Sequence, residues 1–117
     1  MISNPADRPA ARFGLRDRPE LIVIGLMSGT SADGVAAALV QFSGERQFRL
    51  LASRSQPHPS EMRRRILEAA TSDARAIAAL HFDVGEQFAA CANALIASSG
   101  RARDAIDVIG SHGQTIV

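Results

Sequence analysis

Lysine is absent from this sequence of 117 residues, so all 13 of its basic residues are arginines. A phosphate-binding P-loop of the G-x-x-x-x-G-K-[ST] type needs its lysine on the β- and γ-phosphates, and that class of nucleotide site is therefore excluded. Tyrosine and tryptophan are also absent, and the aromatic residues are five phenylalanines. Because the chain has few aromatic side chains on which single-stranded bases could stack, we expect no nucleic-acid partner.

Cysteine is equally scarce. Cys91 stands alone, which excludes an internal disulfide and a cysteine-based zinc site. The sequence has neither the apolar core of a signal peptide nor an apolar run of membrane-spanning length. Its net charge of +1 and its hydrophobic fraction of 46% are ordinary for one small globular domain. These features predict a cytoplasmic protein with no membrane partner.

The pattern of apolar residues predicts an α/β chain. Residues 1–20 are rich in proline and arginine without periodicity, so we expect a disordered leader there and one folded unit over residues 21–117. Strands are predicted over residues 21–27, 35–42 and 48–52, the third ending before Pro57, helices over residues 60–70 and 73–99, and a last strand over residues 106–110. Three consecutive strands and a helical crossover predict a mixed sheet with packed helices. The first strand is continuously apolar, which is typical of burial on both faces.

The two predicted helices have recognisable ends and apolar faces. Ser60 is expected to cap the first helix, in which Arg63 and its two neighbouring arginines form a solvated face. The apolar face of that helix consists of Met62, Ile66, Leu67 and Ala70. The second helix repeats apolar residues at helical spacing, namely Ile77, Leu80, Val84, Phe88, Cys91, Leu95 and Ile96. Gly100 is predicted to end this helix.

A polar turn rich in small residues joins the first two predicted strands. It reads Ser28-Gly29-Thr30-Ser31-Ala32-Asp33-Gly34. The two glycines permit positive φ and close approach of the backbone, and successive N–H groups in such a turn form an anion-binding nest. The hydroxyl groups add donors for phosphate, and Asp33 suits a Mg²⁺ ion or its water shell between itself and the phosphates. An ordinary hairpin in which these polar groups satisfy the turn explains the same residues.

A second polar motif, Gly110-Ser111-His112-Gly113-Gln114-Thr115, directly follows the last predicted strand. Polar groups after the carboxyl ends of strands line the ligand crevice of open α/β sheets. His112 and Gln114 suit hydrogen bonds to sugar hydroxyls, and the imidazole of His112 also suits a general base. A loop in which both side chains hold the backbone is the alternative. Asp33 and His112 are the ionisable residues that we expect at such a site.

Both motifs together resemble the anhydro-N-acetylmuramic acid kinases. The run Ile24-Gly25-Leu26-Met27-Ser28-Gly29-Thr30-Ser31-Ala32-Asp33-Gly34-Val35 is similar to the opening signature of that family. The run Asp107-Val108-Ile109-Gly110-Ser111-His112-Gly113-Gln114-Thr115-Ile116 is similar to its second N-terminal signature. The order and spacing of the motifs agree, and the resemblance covers nearly all of residues 21–117.

The resemblance implies a partial actin-like lobe of the sugar-kinase ATPase type, with ATP and Mg²⁺ as cofactors. Family members use ATP and water to open the ring of 1,6-anhydro-N-acetylmuramic acid and phosphorylate O6, which yields N-acetylmuramic acid 6-phosphate during cytoplasmic peptidoglycan recycling. His112 and Gln114 would face the anhydro amino sugar, and Asp33 would contact Mg²⁺ indirectly. The residues implied on the ATP phosphates are Ser28, Gly29, Thr30, Ser31, Ala32, Asp33, Gly34, Val35 and Ala36. A homo-oligomer is possible in the full-length protein.

The sequence departs from the family pattern in two respects. Family members usually carry a second aspartate two residues after the Asp-Gly pair, where this chain has Ala36. Family members are also much longer, so we expect a truncated kinase lobe, with the catalytic residues beyond Val117 and no activity from the fragment alone. The alternative functions are a non-catalytic nucleotide- or sugar-binding fragment and an inactive remnant of a truncated gene.

Overall fold

The computed structural model describes residues 18–44 and 46–116. The expected leader therefore lies outside the described residues as far as residue 17, and Glu20 already belongs to the first strand. The strands are β1 (Glu20–Ser28), β2 (Gly34–Ser43), β3 (Gln47–Pro57) and β4 (Val108–Gln114). The helices are α1 (Ser60–Leu67) and α2 (Ala74–Ser99), with short 3₁₀ turns at Ala69–Thr71 and Arg103–Ala105.

The four strands form one mixed sheet in the order β3-β2-β1-β4. β1, β2 and β3 pair antiparallel as consecutive hairpins, and β4 pairs parallel with β1. A parallel neighbour requires a long crossover, and α1 and α2 provide it. The predicted α/β class, with a mixed sheet and two packed helices, is confirmed.

Helix α2 packs along one face of the sheet and builds the main core. Alternate residues of β1 and β2, among them Ile24 and Leu39, are fully buried against Cys91 and Leu95 of the helix. A smaller cluster joins α1 to the turn after β1 and consists of Ala32, Met62, Ile66, Ala69 and Leu80. Ala32 therefore anchors the candidate phosphate turn in the core.

The expectation that β1 is buried on both faces is wrong for the described residues. Gly25 and Met27 alternate with the buried positions and are exposed, Met27 by 53%. They lie on the face opposite α2, here called the open face, together with Phe48 and Leu50 of β3. The continuous apolar run arises because the open face is itself apolar, although no described helix packs on it.

The structure also corrects the start of α1. Pro59 is its N-cap, without a side-chain capping bond, and Ser60 is the first helical residue. Pro57 closes β3 instead of following it, which an edge strand tolerates because some of its N–H groups need no partner. Of the four residues predicted on the apolar face, Met62 and Ile66 are buried, whereas Leu67 is 48% exposed and Ala70 is exposed too.

The long helix matches its prediction closely. The Asp73 side chain accepts a hydrogen bond from the Ala76 N–H at 2.8 Å, and Gly100 ends the helix with φ 74°. Of the predicted apolar positions, Ile77 is 40% exposed and the others are buried or pack against the core. Within the described residues, no helix is both long enough and apolar enough to cross a membrane.

Candidate functional site

The two polar motifs meet at one end of the sheet. The turn joins the antiparallel pair β1 and β2, as predicted, and the parallel pairing of β1 with β4 places Ser28 opposite Gln114. The Gln114 amide also donates a hydrogen bond to the carbonyl oxygen of Gly29 at 2.9 Å. Both motifs therefore lie at the same end of the sheet.

The last strand is longer than its sequence suggested. β4 begins at Val108 and continues to Gln114, so the motif expected to be a loop after the strand belongs mostly to the strand itself. Hydrogen bonding to β1 extends it, which the polar composition of the motif did not reveal. Asp107, just before β4, accepts a hydrogen bond from the Ile22 N–H at 2.8 Å and fixes this register.

An irregularity in β4 separates the two residues proposed to face a sugar. Leu26 pairs with Ser111 and Ser28 with Gln114, so three steps on β4 match two on β1, and Gly113 at φ 79° accommodates the extra residue. His112 lies on the open face, while Gln114 lies on the α2 side beside Leu26. Strand alternation alone would place His112 and Gln114 on the same face.

His112 borders a shallow groove of about 560 Å³ on the open face. The floor of this groove is built from small residues, among them Gly25, Ala36 and Gly110. Ala36, which stands where family members usually carry an aspartate, is thus exposed beside an exposed imidazole. Gln114 instead lines an apolar cavity of about 440 Å³ between β4 and α2.

The two glycines of the turn have different surroundings. A Cβ atom on Gly34 would lie 2.3 Å from the carbonyl oxygen of Gln56, so close approach of β3 requires glycine there. A Cβ atom on Gly29 would meet nothing within 4 Å. The expected use of positive φ at these glycines is wrong, because the left-handed residue of the turn is Ala32, at φ 54°.

Backbone donors on the outer side of the turn are available to a ligand. The Ala32 N–H closes the turn on the carbonyl oxygen of Gly29 at 3.1 Å. Thr30 and Ser31 are exposed, and their N–H groups have no partner among the described residues. Neighbouring N–H groups of exposed residues, without a partner among the described residues, suit an anion such as phosphate.

Ser28 is turned away from that outer side. Its side chain is 2% exposed, and its hydroxyl donates to the Gln114 Oε1 atom. The Gln114 amide nitrogen donates to the carbonyl oxygens of Gly29 and Thr115, both at 2.9 Å. These contacts correspond to the alternative in which Gln114 holds the backbone, and its use as a sugar contact stays a prediction.

His58 is a site residue that the sequence did not reveal. It is 7% exposed, its Nε2 atom lies 3.4 Å from the Ser28 Oγ atom, and its main-chain N–H donates to the carbonyl oxygen of Asp33 at 2.9 Å. Burial lowers the pKa of His58, and a hydrogen bond with the Gln114 side chain acts in the opposite sense. Its position directly after the strand that pairs with Gly34 is the signal that could have found it.

Arg63, which the sequence analysis placed on a solvated face of the helix, also lies beside the turn. Its Nε atom lies 3.4 Å from the Asp33 carboxylate, with the two side chains 47% and 76% exposed, so the ion pair is largely screened by water. The expectation that Asp33 and His112 are the ionisable residues of this edge is therefore too narrow, since His58 and Arg63 lie there too. No group of three metal-ligating side chains occurs within residues 18–44 and 46–116, so Asp33 offers a lone carboxylate to a cation.

Comparison with known proteins identifies similar chains. A family model described as anhydro-N-acetylmuramic acid kinase matches residues 21–117. A protein of that name from Caldanaerobacter subterraneus subsp. tengcongensis is 41% identical over 106 residues, which are 86% of this chain and 27% of that protein. Namesakes from Shewanella baltica and Xanthomonas oryzae pv. oryzae are 43% and 44% identical over 80% and 82% of this chain, and 26% and 27% of their own lengths. The chain thus spans about a quarter of the length of these relatives.

Proposed function

This chain belongs to the anhydro-N-acetylmuramic acid kinase family, and on that premise we propose that it supplies the ATP-phosphate turn and one edge of the sugar site of such a kinase. The observation that carries the proposal is the contact between the two motifs, in which Gln114 is hydrogen-bonded to Ser28 and Gly29. A phosphate donor on the turn and a sugar beside β4 would then be neighbours.

The phosphate side of the proposed site uses the outer surface of the turn. The N–H groups of Thr30 and Ser31 would bind phosphate oxygens, with Gly29 giving them room. Asp33 would hold Mg²⁺ through its water shell, since magnesium commonly combines one carboxylate with phosphate oxygens. The Arg63 guanidinium, beside Asp33, would then exchange this weak ion pair for a stronger one with phosphate.

The sugar side of the proposed site is the end of β4. His112, exposed on the open face, would contact a sugar hydroxyl, and Gln114 remains the second proposed contact. The family reaction would open the anhydro ring with water and place a phosphate on O6 of the muramic acid sugar, in the bacterial cytoplasm during peptidoglycan recycling. Phosphoryl transfer of this kind relies on positioning the reactants and on neutralising the charge of the phosphates. This chain would contribute to both.

Titration of the ¹⁵N-labelled chain with Mg²⁺ and either ATP or tripolyphosphate tests the phosphate side. We expect both ligands to shift the amide signals of Thr30 and Ser31, because the phosphates alone carry the contact. Arg63→Gln should weaken binding about fivefold, the factor expected for one charge-assisted contact at an exposed site. Arg64→Gln is the matched control, since Arg64 pairs with Glu61 and Glu68. Shifts confined to residues outside the turn would reject the proposed phosphate site.

A further inference from the structure

We propose that His58 is a positioning residue for the phosphate turn, holding both of its ends through one side-chain and one main-chain hydrogen bond. The functional meaning of this inference rests on the proposed binding of phosphate by the turn. His58 belongs to neither sequence motif, and it lies in the short connection between β3 and α1. The structure assigns it a place behind the turn, on the side away from the proposed ligand.

The two anchors of His58 bracket the turn. Its main-chain N–H donates to the carbonyl oxygen of Asp33, the residue before β2 begins, at 2.9 Å. Its Nε2 atom lies 3.4 Å from the Oγ atom of Ser28, the residue with which β1 ends. The proline residues on either side, Pro57 and Pro59, restrict the backbone that carries both anchors.

The hydrogen-bond partners determine which nitrogen of the ring carries the proton. The Gln114 amide group donates to two carbonyl oxygens, so its Oε1 atom must be the acceptor that faces Ser28. The Ser28 hydroxyl has one proton and gives it to that oxygen, so the Ser28 Oγ atom accepts from the Nε2–H of His58. Nδ1 then carries a lone pair, in agreement with its position as a buried atom without a partner among the described residues.

The resulting chain of hydrogen bonds reaches the turn itself. It runs from His58 through Ser28 and Gln114 to the carbonyl oxygen of Gly29. The same carbonyl accepts the Ala32 N–H, and it is thereby held inward on both lone pairs. Because the C=O and N–H groups of one trans peptide unit point in opposite directions, the Thr30 N–H then points away from Gln114. Removing the ring would leave the buried Ser28 Oγ atom without its donor, and the hydroxyl that anchors Gln114 would no longer be held from behind.

Amide hydrogen exchange of the full chain tests this role without any ligand. His58→Met removes the ring nitrogen at similar size, and we expect the Ala32 amide to exchange about fivefold faster relative to the Leu95 amide in the core. His58→Gln returns a donor near the Nε2 position and should restore most of the protection. His81→Met is the matched control because His81 is exposed on α2. Equal exchange ratios in the His58→Met variant and the unchanged chain would overturn the proposal.

Tripolyphosphate binding by the same variants connects the role to function. His58→Met should weaken binding by the same factor as it increases local exchange, and His58→Gln should restore it. If the unchanged chain does not bind tripolyphosphate, the proposed function fails while the exchange data still decide the role of His58. If binding weakens without any change in exchange, the positioning role is rejected.

The ring of the unchanged chain gives a further test that needs no substitution. Because the Ser28 proton is already donated, ¹⁵N chemical shifts should show the neutral tautomer with the proton on Nε2. This measurement remains decisive if the His58→Met variant does not fold. A dominant Nδ1–H tautomer would break the chain of hydrogen bonds and overturn the proposal.

Discussion

At the scale of single residues, the two glycines of the turn have different roles. Gly34 lies against the backbone of β3, and any side chain there would overlap the carbonyl oxygen of Gln56. Gly29 faces open space beside the two N–H groups proposed to bind phosphate. The sequence marks both positions as permissive, and the tertiary contacts decide that one is required by folding and the other is available for binding.

Substitution of each glycine by alanine separates these roles. Gly34→Ala should lower the free energy of unfolding by roughly 3 kcal/mol, because backbone atoms of β3 would have to move. Gly29→Ala should change it by less than about 0.5 kcal/mol and weaken tripolyphosphate binding instead. Urea unfolding and the ligand titration measure the two effects. Loss of stability in Gly29→Ala, or tolerance of Gly34→Ala, would contradict the geometry of the turn.

His58 makes the stability of the chain sensitive to mild acid. Burial lowers its pKa in the folded state, so the unfolded chain binds the proton more readily. Among the described residues, the charged groups near this part of the turn are the Asp33 carboxylate and the Arg63 guanidinium, while Ser28 and Gln114 are neutral. The stabilising contribution is therefore complete above the usual histidine pKa of 6.5 and is lost as the pH falls through the lower folded value.

Unfolding experiments between pH 7.5 and pH 5.5 would reveal this contribution. We expect the free energy of unfolding to decrease on acidification, and His58→Gln should flatten that slope because glutamine does not titrate. His81→Gln provides a comparison in which an exposed imidazole is removed. A slope unchanged by His58→Gln would show that the pH dependence arises from other groups.

At the scale of secondary-structure elements, β4 carries the feature that composition concealed. Its parallel pairing with β1 continues through Ser111 and ends at Gln114, with Gly113 absorbing one extra residue. That residue directs His112 to the open face and Gln114 toward Ser28. The bulge in β4 is therefore the reason why the two side chains of the second motif lie on opposite faces of the sheet.

Gly113→Ala tests whether the bulge sets that division. Alanine at φ 79° should cost about 1–2 kcal/mol of stability, and the cost comes from the backbone because a Cβ atom there meets nothing within 4 Å. The hydrogen bond from Gln114 to Gly29 should weaken, which the amide signals around Gly29 would report. Gly110→Ala is the control, since Gly110 lies in the same strand without positive φ and with equal space. Equal stability of the two variants would argue against a strained bulge.

At the scale of the whole molecule, the sheet is covered by helices on one face and apolar on the other. Phe48 is 70% exposed and Leu50 is 58% exposed on the open face, with Met27 close to the proposed site. Apolar patches of this kind are interaction surfaces or aggregation liabilities. The chain also spans about a quarter of the length of its relatives.

A direct assay addresses the activity of this polypeptide. We expect the 117 residues, mixed with ATP, Mg²⁺ and anhydro-N-acetylmuramic acid, to release no sugar-dependent ADP, whereas a version extended to the length of its relatives by family-like sequence should do so. The chemistry requires a base for the attacking water. In the described part of the site, Asp33 is assigned to the cation, His112 to the sugar and His58 to the backbone. Sugar-dependent ADP release that Asp33→Asn abolishes would show that a base is present among these residues.

The sequence by itself determined the order of elements, the class of sheet, the long helix and the family, because apolar periodicity and short motifs are local properties. It also identified the turn at residues 28–34, because that turn lies between two apolar runs of strand length. It could not show that Ser28 faces inward, that His58 lies behind the turn, or that Arg63 approaches Asp33. Each of these depends on residues distant in sequence, and the contacts between them exist only once β3, β4 and α1 have packed around the end of β1.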